Sequence, residues 1–288
     1  MKLLLTGANG FTGRQFQPSA QAAGYEMAAL RADLLDTDSL RKEIDAVRPD
    51  YVVHLAGIAF VDHAHEEGFY AVNVIGTTNL LDALARLPQP PAMTLLASSA
   101  NVYGNCAQSP ITESQPPAPV NHYAMSKLAM ETMARNYMDR LRLVIARPFN
   151  YTGPGQNEAF VIPKLAWHFA QRAPTVALGN LHVEREFNDI RSVCAAYLLL
   201  LRDGLAGEVY NICSARMHSL QEVIEVFKRI TGHGIDVRID PRFVRPNEVH
   251  QLCGDPGKLK KLMLSAGVPW KLPTLDETLA SVLAGLNP

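Results

Sequence analysis

Tyr123 and Lys127 stand four residues apart in the run Tyr-Ala-Met-Ser-Lys. On a helix this spacing puts a phenol and an ammonium on one face. Such a pair can pass a proton to or from a carbonyl oxygen, a transfer that works best with a group titrating near neutrality. A free phenol titrates near 10. The cation of Lys127, joined by a positively charged nicotinamide ring, favours the phenolate and is expected to bring that value down. A shift of about 3 units corresponds to roughly 4 kcal/mol, within reach of two close charges in a dry site. Lys127 could also hold the cofactor's ribose. Ser99, in Ser98-Ser99-Ala100-Asn101, offers a hydroxyl to the same oxygen. Ser99, Tyr123 and Lys127 are thus the candidate catalytic residues. A tyrosine–lysine pair alone recurs by chance, so its meaning depends on its surroundings.

A second group suits an anion. Thr6-Gly7-Ala8-Asn9-Gly10-Phe11-Thr12-Gly13 follows the apolar run 2–6 and opens a helical pattern. Gly7 permits a tight turn, Gly10 lets the backbone approach a pyrophosphate, and Gly13 lets helix and strand pack closely. The helix N-terminus adds free N–H groups and partial positive charge. Asn9, Phe11 and Thr12 complete this candidate dinucleotide loop. An acid ending the second strand would bind the ribose of NAD. The chain has Ala29-Leu30-Arg31 there, with Arg14 nearby. Arg31 can accommodate a 2′-phosphate, so NADP(H) is favoured and NAD(H) remains open. Asp33 and Leu34, just beyond, could cap the adenine. Leu55-Ala56-Gly57 ends the third strand, where a glycine turn can pass beside the cofactor.

These residues need a frame. Apolar strands at 2–6, 25–30, 51–55, 93–98 and 141–147 alternate with helical patterns at 11–23, 37–47, 67–87 and 123–139. Strands apolar throughout, separated by helices, imply an α/β fold: a Rossmann-type doubly wound parallel sheet covered on both faces. Ser99 then lies at a strand's carboxyl end, where such sheets bind ligands. Segment 208–212 is expected to return to this sheet. Helices near 162–172, 190–203 and 219–231, a strand at 235–239 and two short C-terminal helices suggest a smaller mixed α/β part woven from separated segments. The expected division is 1–150 with 185–213 for the dinucleotide, and 151–184 with 214–288 for the substrate.

Composition narrows the class. Of 288 residues, 48% are hydrophobic, enough for a large core. Lys+Arg number 27 against 28 Asp+Glu, so no bulk positive field exists to hold nucleic acid or an anionic membrane. No run approaches the ~20 apolar residues of a membrane span. The run Met1-Lys2-Leu3-Leu4-Leu5 stops too soon for a secretory leader. Cys106, Cys194, Cys213 and Cys253 sit far apart, as free thiols in a reducing compartment would. A cytoplasmic protein is expected. His63 and His65 lack evident further ligands, so no metal is expected.

With glycine loop, strand-three turn, strand-four serine and helical Tyr/Lys in this order, the chain resembles the extended short-chain dehydrogenase/reductases that act on nucleotide-diphosphate sugars. The resemblance runs nearly end to end. It implies that Ser99, Tyr123 and Lys127 match the catalytic triad, and that Gly7, Gly10 and Gly13 match the cofactor loop. Asn73, in Asn-Val-Ile-Gly-Thr, matches the family's asparagine after the strand-three helix and, with Tyr123 and Lys127, is expected among the cofactor contacts. Sugar 4,6-dehydratases carry an acid after the serine, because elimination of water needs an acid and a base there. This chain has Ala100 and Asn101, which argues against dehydration. The later runs, Arg147-Pro-Phe-Asn-Tyr, Arg185-Glu-Phe-Asn-Asp and Arg245-Pro-Asn-Glu, look most like the reductases of GDP-4-dehydro-6-deoxy-D-mannose, whose product is GDP-D-rhamnose.

That likeness implies a GDP-sugar substrate. Arg185 and Arg245 offer planar forks for phosphate oxygens. Asn150 could reach the sugar or diphosphate, Lys164 could add a point charge, Glu248 could accept from a ribose hydroxyl or guanine edge, and Ala100 lies beside Ser99. The chain departs from the family at Glu186 and Ser192, where aspartate is usual, and at Ala215, where glycine is usual. His63, His65 and Glu66 occupy the loop that often holds the sugar. Two other readings share much of this pattern: a 4-epimerase with tightly bound NAD, and a non-catalytic NAD(P)-sensing protein, which would have less need of an intact triad. The helix from Tyr123 carries Met125, Ala129 and Met133 on one stripe and Met130, Ala134 and Tyr137 on another. One can face the sheet and the other a partner helix, so a homodimer is expected.

Overall fold

Leu3, Leu4 and Leu5 of β1 (Lys2–Thr6) are all fully buried. Leu3 and Leu5 pack on one side of the sheet and Leu4 on the other, so this strand needs apolar residues on both faces. The computed structural model describes residues 1–59, 66–179, 181, 183–243 and 251–286. After β1 come α1 (Phe11–Ala22), β2 (Glu26–Ala29), α2 (Thr37–Val47) and β3 (Tyr51–His54). Asp36 caps α2 by accepting from the backbone N–H of Ser39.

The next helical stretch differs from its expectation. It comprises α3 (Glu66–Tyr70), a π-helical turn (Ala71–Gly76) and α4 (Thr77–Ala85), rather than one uniform helix. Then follow β4 (Met93–Ala97), α5 (His122–Ala134) and β5 (Leu143–Pro148). Asn121 caps α5 through the Ala124 N–H, and the helix tightens to a 3₁₀ turn over Arg135–Tyr137.

The second half supplies β6 (Tyr151–Thr152), α6 (Val161–Ala170), β7 (Thr175–Leu178), β8 (Glu184–Glu186), β9 (Asn188–Asp189) and α7 (Ile190–Asp203). These are followed by β10 (Val209–Ile212), β11 (Met217–Ser219), α8 (Leu220–Thr231) and β12 (Asp236–Ile239). The last elements are β13 (Gln251–Leu252), α9 (Gly257–Ser265) and α10 (Leu275–Ala284). Ser219 and Glu222 form a capping box that starts α8, and Thr274 and Glu277 do the same for α10.

The main sheet has the order β2-β1-β3-β4-β5-β10, parallel throughout. This is the expected Rossmann-type layout, and segment 209–212 does return to it. The direction of winding reverses between β1 and β3, so a crevice opens at their carboxyl ends. Helices α1 and α7 cover one face with Phe16, Val193 and Tyr197. Helices α2, α4 and α5 cover the other with Ile44, Leu80, Leu84 and Met130. A further core joins α6, α8 and α10 through Leu165, Phe169, Phe227 and Leu279. Small sheets β11-β8-β13, β12-β7 and β6-β9 lie outside the main one. Among the described residues no helix is long and apolar enough to cross a membrane. His63 and His65 lie outside the described residues.

Candidate active site

The crevice is lined first by the glycine loop. Gly7 has φ +68°, and a Cβ there would stand 2.7 Å from the Ala56 backbone nitrogen. The turns after β1 and β3 therefore touch, which only a residue without a side chain allows. A Cβ on Gly13 would collide with the Gly7 carbonyl oxygen. Gly10 caps α1 in an extended conformation, with no side-chain cap and no acid in the first turn. The N-terminal amides of α1 are thus left for an anion, and the cradle fits a dinucleotide pyrophosphate. Asn9 is exposed at the loop tip. The ring of Phe11 stacks on Tyr151 at 6.1 Å, and Thr12 Oγ1 lies 2.9 Å from the Tyr151 hydroxyl.

Beyond β2, Arg31 is exposed. Glu43 of α2 accepts from the backbone N–H groups of Arg31 and Ala32 at 2.9 and 2.7 Å. Asp33 accepts from the Leu35 N–H, and Leu34 is buried with its carbonyl accepting from Asn79. The loop expected to meet the adenosine is thereby pinned to α2 and α4.

The triad converges. Ser99 follows β4 and is buried. Its Oγ accepts from the backbone N–H and the amide of Asn101, at 3.2 and 3.1 Å. With both lone pairs engaged, its hydrogen is left to donate. Tyr123 faces it from the first turn of α5, with Phe69 packed against the phenol ring at 6.1 Å. Burial pushes the Tyr123 phenol up to about 12, a hydrogen bond with Ser99 pulls it down, and Tyr151 pushes it up again. The lowered phenol expected from the Tyr/Lys spacing is therefore not what these protein groups provide. Desolvation wins, and the phenol stays protonated. Burial also brings Lys127 down to about 8, with Glu131 opposing.

Lys127 donates to the Ala97 carbonyl at 2.9 Å. A Cβ on Gly57 would stand 3.1 Å from Lys127 Nζ and 2.9 Å from Asn73 Oδ1, so the strand-three turn, Asn73 and Lys127 meet at one point. Leu55 and Ala56 lead into that turn.

Below the triad lies a buried polar group that spacing did not reveal. Glu131 and Arg147 pair bidentately, through Nε at 2.9 Å and Nη2 at 2.5 Å. Ser98 donates to Glu131 at 2.5 Å, and Arg147 Nη1 donates to the Tyr103 hydroxyl at 2.9 Å. Glu131 holds the Arg147 guanidinium above its ordinary value against the opposing effect of burial. Tyr151 was also missed. Its position two residues after Phe149, just past a strand's carboxyl end, was the available signal.

The residues expected to meet the nucleotide sugar are less gathered. Asn150 uses its backbone carbonyl to hold Asn188. Lys164 donates to the Ala177 carbonyl at 2.7 Å and sits 3.8 Å from the Phe243 ring centre. Arg185, on β8, donates to the Glu184 carbonyl at 2.9 Å. Ala100 is buried beside Ser99. Arg245 and Glu248 lie outside the described residues. Glu186 is fully buried. Burial pushes its carboxyl up, while bonds from Gly254, Ser214 and Asn188 pull it back. Those bonds join three distant parts of the chain.

Comparison with known proteins matches residues 9–264 to the family described as GDP-mannose 4,6 dehydratase. A GDP-6-deoxy-D-talose 4-dehydrogenase of Aggregatibacter actinomycetemcomitans is 33% identical over 273 residues, 91% of each chain. A GDP-6-deoxy-D-mannose reductase of Pseudomonas aeruginosa is 37% identical over 273 residues, 90% of this chain and 89% of that one. Among solved structures, RMD from Pseudomonas aeruginosa complexed with NADPH has a TM-score of 0.87 at 35% identity, covering 99% and 98%. A Burkholderia cenocepacia J2315 structure, provisionally described as an epimerase, has a TM-score of 0.91 at 46% identity, covering 98% and 97%.

Proposed function

The chain belongs to the GDP-mannose 4,6-dehydratase family of enzymes acting on sugar nucleotides, and from this premise we propose that it reduces the C4 carbonyl of a GDP-4-dehydro-6-deoxy-hexose with a nicotinamide cofactor. The observation that carries reduction rather than dehydration is the turn after β4. There Asn101, an amide, fills the place beside Ser99, and neither it nor Ala100 can serve as acid and base for elimination. Both curated relatives are named for chemistry on GDP-6-deoxy sugars, and GDP-4-dehydro-6-deoxy-D-mannose is the substrate we assign.

The reduced nicotinamide, when bound, supplies a hydride to C4. The chain's part is to bind, align and protonate. Gly7, Gly10 and Gly13 admit the pyrophosphate to the amides of α1. Lys127 holds the nicotinamide ribose. Ser99 donates to the C4 oxygen, and Tyr123 gives that oxygen its proton. Because burial holds the phenol high, Tyr123 enters as the neutral acid that an alkoxide requires. The same burial keeps the phenolate, the form that would serve as base in the reverse oxidation, scarce at neutral pH.

NADP(H) is the preferred cofactor in this reading. Arg31 is exposed at the end of the second strand, with no acid in the ribose position, and RMD was solved with NADPH. Asn150, Arg185, Arg245 and Glu248 are the residues assigned to the GDP-sugar, whereas Lys164 is engaged by the Ala177 carbonyl and the Phe243 ring. A homodimer forms through the outer side of α5. Met130, Ala134 and Tyr137 are buried, whereas Met125 is 44% exposed and Ile75, on the neighbouring π-helical turn, is 53% exposed. Sedimentation that finds only monomer at micromolar concentration removes this part of the reading.

The test is loss of reduced-nicotinamide absorbance with GDP-4-dehydro-6-deoxy-D-mannose, using NADPH and NADH in parallel. Stoichiometric oxidation, lowered about 10²–10⁴-fold by Tyr123→Phe while NADPH still binds, is expected. A 4-epimerase, the activity provisionally given to the Burkholderia structure, would retain its cofactor and show no net oxidation. Near-normal turnover by Tyr123→Phe refutes the assignment of the acid.

A further inference from the structure

His54 is a buried titratable group with no part in the chemistry above, yet it lies between the two halves of the site. Its Nδ1 is 2.7 Å from Thr6 Oγ1, and its Nε2 is 2.8 Å from Thr77 Oγ1. The hydrogens can be assigned one by one. Thr77 has a single hydroxyl hydrogen and donates it to the Asn73 carbonyl at 2.7 Å. Its oxygen must then accept from His54, so Nε2 carries the proton. Thr6 Oγ1 accepts from the Ala56 N–H at 3.0 Å and uses its own hydrogen on Nδ1, which is therefore bare. Burial and the nearby Lys127 cation hold the imidazole neutral, down to about 3.

Both ends of this chain of bonds reach the site. At one end, Thr6 precedes Gly7, and Ala56 is the residue against which Gly7 packs. At the other, Asn73 sits in the π-helical turn. Its Oδ1 accepts from the Ile58 N–H at 3.0 Å, and its Nδ2 donates to Ser126 Oγ at 2.9 Å. Ser126 in turn donates to the Tyr123 carbonyl at 2.8 Å. Turns of π geometry are rare and cluster at functional sites. Thr77 ties His54 to this one, because its hydroxyl donates to the carbonyl of Asn73, which the turn carries, and accepts from the imidazole.

We infer that His54 is a positioning residue, a neutral imidazole protonated at Nε2, which registers the Asn73-bearing turn and the catalytic helix against the phosphate loop. It touches neither substrate nor cofactor. Its two nitrogens serve different functions: Nε2 sets the turnover side through Thr77, and Nδ1 sets the cofactor side through Thr6. The turnover part rests on the reductase reading above, whereas the tautomer and cofactor parts do not.

The experiment compares Thr77→Val, which removes the hydroxyl at nearly constant shape, with Thr77→Ser, which keeps it. Thr6→Val tests the other nitrogen. Turnover is expressed per NADPH-binding site, so that a smaller folded fraction does not count. Thr77→Val is expected to lower turnover about tenfold with NADPH affinity within about twofold, and Thr77→Ser to restore it. Thr6→Val is expected to weaken NADPH about tenfold before turnover changes. Nitrogen-15 shifts of the wild-type histidines should show one ring as the neutral Nε2–H form well below the ordinary histidine range. Wild-type turnover per site in Thr77→Val, equal effects of both valines on affinity, or an Nδ1-protonated His54 would each overturn the inference. If the wild-type protein does not oxidise NADPH with the keto-sugar, the reductase reading fails. The tautomer and the Thr6→Val affinity then still decide the role of His54, and the tautomer needs no variant to fold.

Discussion

Replacing Glu131 with glutamine tests the buried group beneath the triad. Side-chain exposures of 3% for Arg147 and 2% for Glu131 leave no water to take over a lost contact. The glutamine oxygen can still accept from Nε, but the new amide presents hydrogens where Nη2 needs an acceptor. Ser98 loses a charged acceptor as well. Removing one partner of a buried pair leaves the other charge uncompensated, at a cost of about 3–5 kcal/mol. That is a large part of the ~5–15 kcal/mol that holds a typical protein folded. At a urea slope of about 3 kcal/mol per molar, the midpoint should fall by roughly 1–2 M.

The transition can be followed by the fluorescence of Trp167 and Trp270 and by circular dichroism in parallel. Activity supplies a second readout. Glu131 holds the Lys127 ammonium up against burial, so the change lets that group drop below about 8. Lys127 then loses its proton at lower pH, and the alkaline limb of turnover should move toward neutrality. A midpoint shift below about 0.3 M, equivalent to less than 1 kcal/mol, would refute the desolvation argument. So would a double variant, Glu131→Leu with Arg147→Met, that proves no more stable than Glu131→Gln, because matched apolar groups should recover stability.

Two further outcomes follow from the site. Gly13→Ala places a methyl group against the Gly7 carbonyl, which should weaken NADPH binding at least about tenfold while leaving Tyr123 and Lys127 in place; unchanged affinity by titration would discount the cradle. His54 titrates near 3 when folded and near 6.5 when unfolded, so between these values the unfolded chain binds the extra proton and stability falls as pH falls. From pH 7 to 5 this group should remove about 2 kcal/mol, a slope that His54→Gln should abolish in urea melts. An identical pH slope in the variant would contradict the buried neutral imidazole.

Much of the frame was legible because it follows from short-range rules. Uninterrupted apolar strands announce a sheet covered on both faces, and Gly7, Gly10 and Gly13 meet their turn, approach and packing demands within a few residues. The shared helix of Tyr123 and Lys127 and the place of Ser99 just past a strand were legible because each depends on only a few neighbouring residues. What escaped depends on partners distant in the chain. The π-helical turn has the same apolar rhythm as an ordinary helix, so the sequence pattern does not mark its extra residue. Glu131 and Arg147 read separately as a helical acid and a strand arginine. The spacing of Tyr123 and Lys127 displays the nearby cation but not the desolvation that, without the nicotinamide charge, raises the phenol. Lys164 reads as a point charge for the substrate, whereas the Ala177 carbonyl and the Phe243 ring engage it.

The path of the chain limits how this molecule can diversify. Strand β10 belongs to the main sheet, yet it lies in sequence between β8 and β11, which pair with each other outside it. Glu186 then binds the segments at Ser214 and Gly254 to its own. No single cut releases the smaller sheets with their strands together, so they cannot be exchanged between relatives as one cassette. A new sugar preference must arise by replacing side chains in place, while the scaffold that carries them is inherited whole.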